Sequence, residues 1–190
     1  MKGMRKQVLF IQGAGDGAYD EDEKLVTSLR HWLGSLYDVH YPVMQNETNY
    51  ETWTQQIKQA LAILNSDAVI LVGHSVGASI LIKFLTANEI EKTIVGIYLI
   101  AAPFWGGDGG WTYEGYETLV LPTKVDTKLL PGVPIFLYQS NDDEIVPFAH
   151  LALYAKRFPR AIVRELDRRG HQLKNDLCEV ANDIKNINRM

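Results

Sequence analysis

The chain has 190 residues, 46% hydrophobic and 22% charged, which is typical of one globular domain with a sizeable core. Its net charge of −4 argues against a general affinity for nucleic acid or an anionic membrane, and no apolar run approaches the ~18 residues of a membrane span. The single cysteine cannot form an internal disulfide, so we expect a reducing, cytoplasmic setting.

Short apolar runs alternate along the chain with longer segments of helical period. Strands are predicted at 8–11, 37–41, 68–72, 94–101, 134–139 and 161–166, and helices from 21, at 53–64, 76–87 and 148–158, and near the C-terminus at 173–187. The first helix should bury Trp32 and Leu36, with Asp20 or Asp22 as a candidate cap. This alternation predicts an α/β protein with a doubly wound, mainly parallel sheet of about six strands flanked by helices.

One irregular stretch, residues 103–127, follows the fourth predicted strand and contains five glycines among its aromatic residues. A segment of this length without helix or strand is often a functional loop or lid. We expect Trp105 and Trp111 to form one wall of a substrate pocket, because aromatic rings offer a large apolar surface. The alternative is a surface loop whose rings are pinned to the core.

A serine lies between two glycines at the junction of the third strand and the following helix. Ser75, with Gly73 and Gly77, fits the pattern G-x-S-x-G, which in this context is typical of a nucleophile elbow. There a strained turn presents the hydroxyl at the carboxyl edge of the sheet, and the amides of the following helix favour negative charge. The alternative is a tight turn with an incidental serine.

A serine nucleophile needs a base, and the base needs an acid that orients it. His171 is the predicted base, because it follows the last strand at the same edge of the sheet, whereas His150 falls inside a predicted helix. The acid is expected in the loop after the fifth strand, which carries Asp142, Asp143 and Glu144.

On these motifs the chain resembles the small α/β-hydrolases related to retinoblastoma-binding protein nine and its bacterial counterparts. The resemblance covers nearly the whole length. It is carried by Gly13-Ala14-Gly15 after the first strand, by the elbow around Ser75, by Asp143-Glu144-Ile145-Val146-Pro147, and by Gly170-His171. Where the family commonly has His-Gly, this chain has Gln12-Gly13, so only the backbone amides of that loop are assigned a role.

The resemblance implies one compact α/β-hydrolase domain over residues 1–190, without a large cap, and a serine hydrolase that acts on short acyl esters through an acyl-enzyme. The D-x-x-V-P stretch selects Asp143 as the acid, beside Ser75 as nucleophile and His171 as base. The oxyanion hole is expected to use the backbone amides of Val76 and Ala14.

Other functions compete with this one. A looser dinucleotide fingerprint, Gly13-x-Gly15-x-x-Ala18, is disfavoured because Asp38 begins the second strand instead of ending it and the predicted helix starts only after Asp20. The alternatives are a partner-binding protein on a hydrolase scaffold with little catalysis, and an amidase or thioesterase. We expect a small-molecule acyl substrate, no nucleic acid or membrane partner, no cofactor and no metal, and leave open a protein partner.

Three further features are given structural interpretations. His74, inside the elbow, is taken as a packing residue, and Cys178 as a small core hydrophobe. The four arginines between residues 160 and 169 are taken as a solvated face.

Overall fold

The computed structural model describes residues 5–45, 49–122 and 132–187, so expectations for residues 123–127 lie outside the described residues. The strands are β1 Lys6–Ile11, β2 Tyr37–His40, β3 Ala68–His74, β4 Thr93–Ile100, β5 Ile135–Ser140 and β6 Ile162–Leu166. The α-helices are α1 Ala18–Leu33, α2 Tyr50–Ala62, α3 Ser75–Ala87, α4 Ala149–Arg157 and α5 Cys178–Asn186, and two 3₁₀ turns cover Glu117–Leu119 and Leu173–Asn175.

The six strands form one fully parallel sheet in the order β2-β1-β3-β4-β5-β6. This confirms the predicted fold class. Because all strands run the same way, their carboxyl ends lie along one edge. The strand order reverses between β1 and β3, and open α/β sheets bind ligands in the crevice at such a point.

Alternating side chains of the strands pack on opposite faces of the sheet. In β1, Leu9 and Ile11 join the core on one face, whereas Val8 and Phe10 join the core on the other. The first core includes residues of α2, α3 and α4, and the second includes residues of α1 and α5. Helices therefore cover both faces, which explains why the central strands are almost continuously apolar.

Helix α1 differs from its sequence-based prediction at both ends. It begins after Gly17, which has φ 77°, and neither Asp20 nor Asp22 caps it. The predicted burial of two apolar residues is also wrong, since Trp32 is 43% exposed and Leu36 is 74% exposed. The helix ends before Leu36, so its period no longer sets the direction of that side chain.

The C-terminal helix is shorter than predicted. Leu173, Lys174 and Asn175 all have positive φ, between 44° and 55°, so the chain turns here before α5 begins. Leu173 and Leu177 are still buried, as the apolar pattern predicted. Cys178 is only partly buried, so its interpretation as a core residue is wrong.

Two of the four clustered arginines hold the C-terminal segment instead of facing solvent freely. Arg164 donates two hydrogen bonds to Asp183 on α5, and Tyr138 of β5 donates a third from its hydroxyl. Arg169 donates to Glu179 at 2.8 Å. The solvated-face interpretation is therefore wrong for Arg164 and Arg169. Among the described helices, none has the length and apolarity to span a membrane.

Candidate active site

The turn between β3 and α3 is tight enough to require both of its glycines. A Cβ on Gly73 would lie 2.7 Å from the Cα of Ala78, and one on Gly77 would clash with the backbone carbonyl oxygen of Gln12. Ser75, between them, has φ 52°, a left-handed conformation that costs a non-glycine residue free energy. The predicted nucleophile is therefore held in a strained turn at the carboxyl end of β3.

The loop after β6 brings His171 to the carboxylate of Asp143. Its Nδ1 lies 3.0 Å from each carboxylate oxygen, and the Asp143 side chain is 0% exposed. Oδ1 also accepts hydrogen bonds from the backbone amides of Ile145 and Val146. The structure thus pairs the predicted base with Asp143 among the three neighbouring carboxylates.

The charge state of Asp143 fixes the tautomer of His171. Burial opposes ionisation of Asp143, but the hydrogen bond and charge of His171 and the two amide donors outweigh it, and the pKa of Asp143 lies below its ordinary value. An ionised carboxylate only accepts hydrogen bonds, so Nδ1 of His171 carries a proton. In the neutral ring, Nε2 is then free to accept a proton.

The two acidic neighbours of Asp143 hold the backbone of the histidine loop. Asp142 accepts a hydrogen bond from the amide of Gly170 at 2.8 Å, and Glu144 accepts one from the amide of His171 at 3.1 Å. The sequence pattern predicted no role for either side chain once Asp143 was selected as the acid. The only sign of this role in the sequence is that both residues lie directly beside Asp143, in the same loop.

The loop after β1 lies directly against the elbow. A Cβ on Gly13 would be 3.3 Å from the Cβ of Ser75. The amide of Gly13 donates to Asp22 at 2.7 Å, so the next amide, that of Ala14, is the candidate oxyanion donor in this loop. Val76 lies in the first turn of α3, where backbone amides have no acceptor within the helix.

His74 is more than the packing residue that the sequence suggested. Its ring is buried, bonded to Asp22 through Nδ1 and close to the carbonyl oxygen of His171 through Nε2, at 3.2 Å. Its centroid lies 4.8 Å from that of the His171 ring. The missed partner, Asp22, precedes His74 by 52 residues and shares no motif with it.

The aromatic segment after β4 is anchored close to its start. Phe104 donates its amide to Nδ1 of His150, which is buried on α4. Trp105 is 4% exposed and stacks on Tyr116, whereas Trp111 is partly exposed and meets the ring of Trp105 edge-on. The structure therefore brings the two predicted pocket tryptophans together and buries one of them.

The structure also tests the metal and dinucleotide alternatives. Among the residues that the structure describes, no group of three or more His, Cys, Asp or Glu side chains is arranged to hold a metal ion. Helix α1 begins at Ala18, so one argument against the dinucleotide fingerprint, the late start of the helix, is wrong. The other argument stands, since Asp38 is the second residue of β2 and does not follow it.

Comparison with solved structures identifies many similar folds. The ydeN gene product from B. subtilis is 18% identical with TM-score 0.70, over 97% of this chain and 100% of that one. The hydrolase BphD from Rhodococcus sp. strain RHA1 is 15% identical with TM-score 0.75, over 98% and 91%. An esterase domain from Rhodothermus marinus is 18% identical with TM-score 0.63, over 96% and 85%.

The match to a protein family shows more than the fold. No curated protein sequence matches the chain. The model of a family described as serine hydrolase matches residues 26–176, a range that includes Ser75, Asp143 and His171. The chain therefore belongs to the serine hydrolase family and has the α/β-hydrolase fold.

Proposed function

We propose that this serine hydrolase is a carboxylesterase-like enzyme that acts on short acyl esters through Ser75, His171 and Asp143. The observation that carries the proposal is the hydrogen bond between the buried Asp143 side chain and Nδ1 of His171, whose ring lies against that of His74, the residue before the strained Ser75. A partner-binding scaffold has no use for an oriented imidazole or for left-handed strain at a serine. The reducing, cytoplasmic setting expected from the single cysteine is part of the proposal.

The reaction has two acyl-transfer steps. The Oγ of Ser75 attacks the ester carbonyl carbon while Nε2 of His171 takes its proton. The amides of Val76 and Ala14 stabilise the oxyanion, and the alkoxide leaves with the proton of His171. Water then attacks the acyl-enzyme, again giving a proton to Nε2, and Ser75 regains its hydroxyl as the carboxylic acid departs. Throughout, Asp143 holds the ring and stabilises the imidazolium.

The preference for short acyl groups rests on the segment after β4. The described part, residues 103–122, contains one 3₁₀ turn, Glu117–Leu119, and is too short for a cap domain. Its partly exposed ring, Trp111, supplies apolar surface for a small acyl group.

A serine-reactive phosphonate, followed by peptide mass spectrometry, tests the nucleophile. We expect labelling of Ser75, and at least a ~10³-fold loss of aryl-ester hydrolysis in Ser75→Ala, because the covalent route is removed. Ser66→Ala, in the loop before β3, is the matched control and should keep both labelling and activity.

The outcomes separate the competing functions. Labelling at another residue, or full activity of Ser75→Ala, would contradict the proposal. An unlabelled, inactive wild type would favour the partner-binding alternative. Aryl esters, anilides and thioesters with the same acyl groups are then compared by kcat/KM. A higher kcat/KM for the anilides or the thioesters would show that the enzyme is an amidase or a thioesterase instead of an esterase.

A further inference from the structure

Asp22 and His74 form a second buried histidine–carboxylate pair beside the candidate site. Both side chains are 1% exposed, and His74 Nδ1 lies 2.9 Å from one oxygen of Asp22 and 3.0 Å from the other. The acyl-transfer steps proposed above use neither side chain. Because burying two titratable groups is costly unless their contacts offset it, the pair requires an explanation.

The hydrogen bonds of His74 fix its charge. Nδ1 faces Asp22, and Nε2 faces the backbone carbonyl oxygen of His171, which can only accept. The oxygens of Asp22 also take hydrogen bonds from the amide of Gly13 at 2.7 Å and the side-chain amide of Gln172 at 3.1 Å, and these donors favour the ionised carboxylate, which can only accept. A neutral imidazole has one N–H and would satisfy only one of its two partners. These contacts favour an imidazolium facing a carboxylate.

The electrostatics agree with this geometry. Burial alone would lower the pKa of His74, but the charge and hydrogen bond of Asp22 and the carbonyl of His171 raise it, helped by the charge of Asp143. Burial alone would raise the pKa of Asp22, but His74 and the two amide donors hold it below its ordinary value. Burial and the charge of Asp22 raise the pKa of Tyr41, so this neighbouring hydroxyl stays neutral.

The pair joins three segments that surround Ser75. Asp22, on α1, holds the amide of Gly13 and so fixes the loop from which the oxyanion amide is expected. His74 is the residue before Ser75, and it holds the backbone of His171. The pair thus connects the oxyanion loop, the elbow and the histidine loop through hydrogen bonds in the interior.

We propose that Asp22 and His74 are positioning residues, whose charged pair holds the histidine loop and the oxyanion loop in register with Ser75. This inference rests on the proposed function. Loss of the proton on Nε2 of His74 to solvent at alkaline pH removes the hydrogen bond to the His171 carbonyl. Activity then falls as pH rises.

The test compares kcat and KM for a short aryl ester from pH 5 to 10 in the wild type and in His74→Gln. We expect kcat of His74→Gln to fall about 10- to 100-fold at pH 7, because small displacements of reacting groups cost rates of this order. KM should change less than about threefold, since ground-state binding is not addressed. The decline of kcat at alkaline pH in the wild type should be absent from His74→Gln. Asp22→Asn should also lower kcat.

A matched control is His40→Gln. His40, on β2, also has a carboxylate neighbour, Asp38, at 3.4 Å, but it is partly exposed and bonds to Gln7. It lies outside the candidate site, and its variant should keep the kcat and pH profile of the wild type.

Histidine NMR on the wild type decides the charge state without any variant. A doubly protonated His74 ring at pH 7 supports the inference, and a neutral ring overturns it even if His74→Gln does not fold. Phosphonate labelling separates the two proposals. If Ser75 is labelled but His74→Gln keeps the wild-type kcat and pH profile, the positioning role alone is wrong. If Ser75 is not labelled, the proposed function itself is wrong.

Discussion

At the residue scale, the contacts of Asp143 distinguish it from the other two acidic side chains of its loop. Its carboxylate is fully buried and meets an imidazole nitrogen and two backbone amides. Asp142 is exposed and meets the hydroxyl of Ser140 and the amide of Gly170. The family resemblance selected the same residue through the D-x-x-V-P stretch, and in the structure Val146 of that stretch donates its amide to Asp143.

A charge-neutral substitution separates these two carboxylates. Asp143→Asn should lower kcat/KM on the order of 10⁴-fold, because the imidazole loses the charge that holds its tautomer and stabilises its protonated form. Asp142→Asn should cost far less, since an amide oxygen still accepts from the amide of Gly170. Steady-state kinetics on one aryl ester give both values. A larger loss in Asp142→Asn would show that the wrong carboxylate has been assigned.

The buried pair of Asp22 and His74 should make folding stability depend on pH. A carboxyl with a lowered pKa stabilises the protein above its unfolded-state value near 3.9 and loses that contribution as pH falls through the folded value. A histidine with a raised pKa contributes fully below about 6.5 and loses its contribution as pH rises through the folded value. The pair therefore stabilises most between roughly pH 4 and 6.5.

Thermal unfolding of the wild type and His74→Gln from pH 5 to 9 measures this effect. The Tm of the wild type should exceed that of His74→Gln by the largest amount near pH 5 to 6, and this difference should narrow as pH rises. His150→Gln is a control of opposite sign, because burial lowers the pKa of His150 against a hydrogen bond to Gly109, and its difference in Tm should widen with pH. A His74→Gln difference that is constant or grows with pH would contradict the imidazolium.

At the element scale, the strands and helices α3 and α4 were predictable, whereas the ends of α1 and α5 were not. Each strand end lies within two residues of its predicted position. The central strands are buried on both faces and are therefore nearly continuous apolar runs. The ends of α1 and α5 are set by backbone conformations instead. Gly17 begins α1 without a side-chain cap, and three successive residues of positive φ delay α5. The spacing of apolar residues does not predict such turns, because it carries no information about backbone φ.

The elbow shows the opposite case, in which an element boundary follows from residue size. The backbones of α3 and of the end of β1 approach so closely that Gly77 has no room for a Cβ. Its counterpart Gly73 is bounded by the Cα of Ala78, which is backbone and cannot turn aside. A pattern of small residues therefore predicted the junction, since only that pattern permits the packing.

At the scale of the whole molecule, the candidate site is assembled by the parallel sheet. Gly13 follows β1, Ser75 follows β3, Asp143 follows β5 and His171 follows β6, so one edge gathers residues that are far apart in the chain. The sequence predicted that edge because each residue lies in the loop that follows a strand. Asp22 could not be predicted in this way, because it projects inward from α1 and only the packed fold brings it to His74.

The segment from Pro103 begins at this edge, shortly after β4, and it gives the last prediction. Ser79 and Tyr154 both donate to the carbonyl of Pro103, so the start of the segment is tied to α3 and α4. Further along the segment, Trp105 belongs to the core that includes α2, α3 and α4, and Trp111 is partly exposed beside Trp105. The two tryptophans should therefore respond differently to truncation.

Trp111→Ala should change the ratio of kcat/KM between acetyl and hexanoyl aryl esters by more than about tenfold, or roughly 1.4 kcal/mol, with little change in Tm. Trp105→Ala should lower Tm strongly, because truncating a buried tryptophan costs about 3–5 kcal/mol, and should lower kcat/KM for all acyl lengths. Trp105→Phe is the control for ring packing: the indole Nε1 has no partner among the described residues, so little stability should be lost. A uniform loss across acyl lengths in Trp111→Ala, accompanied by a lower Tm, would show that both rings are core residues and that the acyl group binds elsewhere.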